Sequence, residues 1–208
     1  ASDVYKRQQQ ILILILFTHL LVFQVWVYLN TTNSVKGKKM SNDENLTSSE
    51  IEALRGLLDI EEIKQLRLRY SYHMDARNLE SLMHVFADGA VCGYGPYGDW
   101  VGKDVIYNNY KETFKDTLDT PFVSMHVNTN HLVKITGPNE AKGRVYLLDG
   151  MTKNMDGSDI KEGQSNFLWF ALYDEQYIKV DGSWKIKHMN LEFFWPERHV
   201  SEGFSTDF

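Results

Sequence analysis

Cysteine occurs once in the 208 residues, at Cys92. An intramolecular disulfide framework is therefore excluded, and a reducing, cytoplasmic location is the expectation. A surplus of positive charge is also missing. The formal net charge is -6, which leaves nucleic-acid binding without an electrostatic footing. Metal-ligand spacing is absent too: no C-x-x-C or H-x-H occurs, and His126 and His131, five apart, are expected on opposite faces of a strand. No G-x-S-x-G elbow is present and Cys92 has no base near it in sequence, so neither a serine nor a thiol nucleophile is expected. The stretch GYGPYG at 93–98 matches G-x-G-x-x-G in letters alone. Pro96 keeps its glycines from opening a helix, and no alternating strand–helix pattern surrounds it, which removes a dinucleotide site.

One long apolar run is present, ILILILFTHLLVFQVWVYL at 11–29, about long enough to span a bilayer. Basic residues flank it on both sides, so they set no orientation. Two readings stand for residues 1–39: an in-frame translation upstream of Met40, or a signal or anchor segment. A membrane association is expected only under the second. Residues 1–39 hold five of the 22 basic and one of the 28 acidic side chains. The remaining 40–208 therefore carry 17 basic and 27 acidic residues, net -10. With 43% hydrophobic and 13% aromatic residues in the whole chain, one acidic globular domain over 40–208 is expected.

Along that domain the periodicity changes once. Ile60, Ile63, Leu66, Tyr70 and Met74 recur at helical spacing behind a candidate N-cap at Thr47 or Ser48. Gly56 is expected to split this helix. Asn78 starts a short second helix ending near Asp88-Gly89, AVCGYGPYGDWVG reads as a strand and a long loop, and KDVIYNNYKETFKDTL as another amphipathic helix. Period-two strands follow near 121–136, 140–153, 164–180 and 183–195, the last two joined by an Asp-Gly turn. Helices segregated ahead of hairpin-linked strands indicate an α+β domain. Its long strands are expected to wrap on the helices as a cone-shaped α+β barrel enclosing a pocket.

Four positions invite chemistry, and local pattern alone leaves each open. Tyr70 and Asp75 are five apart, about 140° round a helix, and converge only if the helix ends near Asp75 over a cavity. Asp75 also suits a solvated turn or the N-cap of the next helix. On SMHVNTNHLVKI, Val123, Met125, Val127, Val133 and Ile135 are expected on one face and His126, Asn128 and Asn130 on the other. That polar ladder fits either a pocket lining or a solvated face. Asp149 shares a face with Val145 and Leu147, as a strand-end turn residue or as a partly buried acid beside a histidine. Phe167, Trp169, Tyr173, Trp184 and Phe194 are candidates for an aromatic wall or for plain core.

These segments, IKQLRLRYSYHMDARNLESLMHVFADGAV, GKDVI, MHVNTNHLVKI and YDEQYIKVDGSWKIKHMNLEF, together resemble the SnoaL-like branch of the nuclear transport factor 2-like superfamily over about 51–195. Within it, the spacing of Tyr70, Asp75, His126 and Asp149 is similar to that of bile-acid-type dehydratases, with scytalone dehydratases more distant. The resemblance implies a cofactor-independent lyase or isomerase acting on a small hydrophobic carbonyl compound, steroid- or polyketide-like. In that role His126, oriented by Asp149, removes a proton beside a carbonyl, while Tyr70 and Asp75 polarise the carbonyl or protonate a departing hydroxyl. Asn128, Trp169, Tyr173 and His188 are the implied substrate contacts, with Lys187 or His188 as the further basic residue. A homodimer is implied as well. The competing reading is a non-catalytic ligand-binding or dimerisation module, or the small subunit of a ring-hydroxylating oxygenase.

Overall fold

The computed structural model describes residues 46–208, so the expectations for residues 1–39 lie outside the described residues. Helix α1 (Ser48–Asp75) runs 28 residues and buries Ile63, Leu66, Tyr70 and Met74 on one stripe, together with Arg67 and Ser71. Gly56 does not break it. That position is half-buried with nothing within 4 Å of where a Cβ would stand, and a single glycine costs a helix only about 1 kcal/mol.

The helix stops in a left-handed cap. The Asn78 N–H donates to the His73 carbonyl and the Arg77 N–H to that of Met74, with Arg77 at φ 57°. Asn78 then caps α2 (Leu79–Met83), its side chain accepting from the Ser81 N–H at 3.1 Å. The second helix is shorter than its sequence suggested. Strand β1 (Phe86–Gly93) claims the following residues, because Phe86 already pairs with Ile186 of the last strand.

Beyond β1, a 3-10 turn at Gly95–Tyr97 leads into a three-residue strand, β2 (Asp99–Val101), inside the stretch read as loop. Helix α3 (Lys103–Thr113) buries Ile106 and Tyr110. Four long strands complete the chain: β3 (Ser124–Gly137), β4 (Glu140–Met151), β5 (Phe167–Val180) and β6 (Ser183–Trp195). The sheet order is β2-β1-β6-β5-β4-β3. Only β1 and β6 pair in parallel. The α+β architecture matches the expectation, with a six-stranded sheet whose outer strands, β2 and β3, leave it unclosed.

One bulge matters for the site. Between Thr129 and Leu132 the β3–β4 register shifts, with Asn130 at φ 53°. Ahead of it His126 and Asn128 turn inward while Met125 and Val127 are each 45% exposed. Beyond it His131, Val133 and Ile135 turn inward. The five apolar residues therefore do not share a face, and His126 and His131 do not oppose one another: an inserted residue resets a period-two alternation. Among the described residues no helix is long and apolar enough to cross a membrane.

Candidate active site

A cavity of about 370 Å³ lies on the sheet's inner face. Tyr70 and Met74 of α1, Tyr110 and Phe114 at α3, and Leu147, Asp149, Trp169, Tyr173 and Phe193 of the long strands all line it. The GYGPYG segment contributes Tyr94 and Tyr97, and β2 contributes Trp100. Most of this wall is aromatic or aliphatic, so polar groups that reach it act in a medium of low polarity.

His126 and Asp149 are direct partners in the β3–β4 register. Both side chains are 9% exposed, with His126 Nε2 4.0 Å from Asp149 Oδ2. The tighter contact is on the ring's other side. His126 Nδ1 lies 2.6 Å from Asp75 Oδ1, and the His126 backbone N–H donates to the same carboxylate at 3.0 Å. Geometry thus reverses the expected pairing: Asp75 holds His126, whereas Asp149 faces Nε2 just beyond hydrogen-bond distance. An Nδ1–H donated to Asp75 leaves Nε2 with its lone pair toward the cavity. Asp75 caps no following helix, since Asn78 does that. It closes α1, at the end where a helix dipole disfavours a carboxylate.

What offsets that placement is Arg77, absent from the sequence-derived site. Its guanidinium donates to the Met74 carbonyl at 2.7 Å and to Ser124 Oγ at 3.2 Å, and lies 3.9 Å from the Phe114 ring centre. Arg77 is buried, at 6% exposure. Burial pushes its pKa down, while Asp75 and Asp149 pull it back up. An arginine where caps usually place glycine costs roughly 1–2 kcal/mol of backbone strain. The cation it brings to two buried carboxylates is the compensation.

Asp149 favours its protonated form. Burial raises its carboxyl pKa above the usual carboxylate range, Asp75 adds to the rise, and His126 and Arg77 oppose it. Its Oδ1 has no hydrogen-bond partner among the described residues. On another part of the wall three phenols meet. Tyr70 OH lies 2.9 Å from Tyr110 OH and 3.4 Å from Tyr94 OH, and Tyr94 and Tyr110 are themselves hydrogen-bonded. Burial holds all three well above the ordinary tyrosine pKa, so they stay protonated and able to donate.

Of the remaining expected contacts, Trp169 and Tyr173 line the cavity. Asn128 and His188 do not. Asn128 points inward but is taken up by Ser71 Oγ of α1. His188 stands in β6 beside Met189, whose side chain takes the buried face; Lys187 is exposed and lies 3.7 Å from Glu140. Phe167 is half exposed, Trp184 hydrogen-bonds Asp59, and Phe194 lines a separate pocket together with Phe204 and Phe208. Of the residues sequence reasoning passed over, Tyr110 had a signal, since Ile106, Tyr110 and Phe114 recur every fourth residue on α3. Arg77 had none, because its left-handed backbone is invisible before the cap is seen.

Known structures share this arrangement of elements. A candidate scytalone dehydratase from Novosphingobium aromaticivorans is 22% identical, with 72% of this chain and 97% of that one covered at a TM-score of 0.57. A nuclear transport factor 2-like protein with a cystatin-like fold, also from Novosphingobium aromaticivorans, is 14% identical over 76% of this chain and 94% of its own, TM-score 0.58. A hexachlorocyclohexane dehydrochlorinase from Novosphingobium barchaimii is 18% identical over 73% and 96%, TM-score 0.54. At these identities the likeness is one of fold. No curated protein matches the chain. The SnoaL-like domain matches residues 55–190, well over half the sequence, and the chain belongs to that family.

Proposed function

We propose that the protein is a lyase that eliminates water from a small hydrophobic carbonyl compound, with acid–base side chains supplying the chemistry. The observation that carries this reading is His126, tied to Asp75 through Nδ1, with Nε2 directed at a buried, protonation-prone Asp149 on a cavity wall. His126 Nε2 takes the proton from the carbon beside the carbonyl, and the electron pair forms the new double bond. The C–O bond on the next carbon breaks, and Asp149 gives the departing hydroxyl its proton, so water leaves. The histidinium then returns its proton to the Asp149 carboxylate across the short gap. Tyr70, with Tyr94 and Tyr110 behind it, donates to the carbonyl oxygen as it gains charge.

The names of two structural neighbours support elimination over isomerisation. A dehydratase and a dehydrochlorinase both remove hydrogen and a leaving group from adjacent carbons. The aromatic wall and the cavity volume suit a fused-ring ketone, steroid- or polyketide-like. A screen of 3-oxo steroids and hydroxylated aromatic ketones, read by the absorbance of the conjugated product, tests the reading. Turnover by the wild type and none by His126→Ala is expected; equal turnover in the variant contradicts it.

A second copy of the chain is the proposed partner. On the sheet's outer face Val127, Leu148, Phe170 and Trp195 stand opposite one another on successive strands. Each is at least 37% exposed. Such an apolar row is costly to leave in water and is self-complementary about a two-fold axis.

A further inference from the structure

Arg67 interrupts the apolar stripe of α1 between Ile63 and Tyr70, and it is 1% exposed. A guanidinium so far from water requires a counter-charge. Glu175, equally buried, supplies one: Arg67 Nη1 donates to its Oε1 at 2.7 Å. Tyr177 OH donates to the other carboxylate oxygen, and His131 Nε2 lies 3.1 Å from that hydroxyl.

A structural ion pair of this kind usually turns the arginine's fork to the carboxylate. Here it does not. Nε and Nη2 have no hydrogen-bond partner among the described residues. The guanidinium carbon sits instead 3.5 Å from the ring centre of Tyr173 and 3.9 Å from that of Tyr70. Both rings line the cavity. A cation against a phenol ring stabilises charge on the phenol oxygen and makes its O–H a stronger donor. In both tyrosines burial pushes the pKa up, and Arg67 opposes it.

We propose that Arg67 is a positioning residue that strengthens the Tyr70 and Tyr173 hydroxyls as donors to an oxygen gaining negative charge in the cavity. Glu175 and Tyr177 keep the guanidinium charged and fixed behind the rings. The inference rests on the carbonyl reading above and narrows the ligand class. The cavity favours a carbonyl that becomes an enolate, or a phenol that binds with phenolate character.

The probes are para-substituted phenols of similar size and graded acidity, titrated by quenching of tryptophan fluorescence. In the wild type, affinity rises with phenol acidity. Arg67→Met alone strands the buried Glu175, so the test variant is Arg67→Met with Glu175→Gln. It flattens the dependence, with about a tenfold loss for the most acidic phenol and little change for the least acidic. Arg67→Lys, which keeps the cation, restores the slope. A merely structural arginine would shift all phenols alike. Equal slopes in wild type and variant overturn the proposal while leaving the cavity reading intact; absence of phenol binding by the wild type overturns both. Should circular dichroism show the double variant unfolded, Arg67→Gln with Glu175→Gln replaces it, and the same outcomes decide.

Discussion

Asp149, the acid of the proposed reaction, is buried at the expense of stability. Its raised pKa means that folding favours the protonated carboxyl. That contribution is full at low pH and is lost as pH climbs from the usual carboxylate range through the raised folded value. Asp149→Asn keeps the uncharged shape at every pH. The variant is expected to be more stable than the wild type at pH 8, by about 1.4 kcal/mol for each unit of the rise, and equal to it well below the ordinary carboxylate range. Urea melts at the two pH values measure this, and an unchanged difference between them contradicts it. His131 behaves oppositely. Burial pushes its pKa down to about 4, with Arg67 and Lys64 adding to the fall. Folding favours neutral His131, so its contribution is full above the ordinary histidine value and is lost as pH falls toward 4. Replacing His131 with Gln is expected to flatten the acid limb of a Tm–pH curve, removing up to about 1.4 kcal/mol per pH unit.

At the scale of elements, two local irregularities aim the site: the left-handed cap at Arg77 and the bulge at Asn130. The bulge lets one strand present His126 at the cavity and, farther on, Val133 and Ile135 to the core. Asn tolerates the left-handed region, glycine more so, and β-branched residues poorly. Asn130→Gly should therefore be nearly neutral, whereas Asn130→Val should cost roughly 1–2 kcal/mol and weaken ligand binding by letting the register slip. Equal stability of the two variants would remove the bulge from the account. These irregularities also mark where the sequence stopped being legible. Period-two alternation located all four long strands and put Asp149 beside Val145 and Leu147, because β4 runs regular there. The same rule misassigned Val133 and Ile135, since nothing in NTNHL announces an extra residue. Local pattern left Tyr70, Asp75, His126 and Asp149 open and family resemblance singled them out, whereas the Asp75–His126 contact required the helix end to be seen in space.

Across the whole molecule the two faces of the sheet divide the work. The inner face, closed over by α1 and α3, carries the cavity and its ionisable groups. On the outer face, the row from Val127 to Trp195 is the proposed dimer surface. Val127→Lys with Leu148→Lys places two charges in its centre. That pair is expected to halve the sedimenting mass while leaving circular dichroism unchanged. A wild type that sediments as a monomer at micromolar concentration contradicts the surface.

In the proposed reaction His126 Nε2 is the base and Asp149 the acid, and deuterium exchange separates the two. A fused-ring ketone without a leaving group is incubated with the protein in D2O, and incorporation at the carbon beside the carbonyl is followed by NMR. Exchange is expected in the wild type and is retained in Asp149→Asn despite its loss of dehydration, whereas His126→Ala lowers it at least about a hundredfold. Exchange at the wild-type rate in His126→Ala would contradict it.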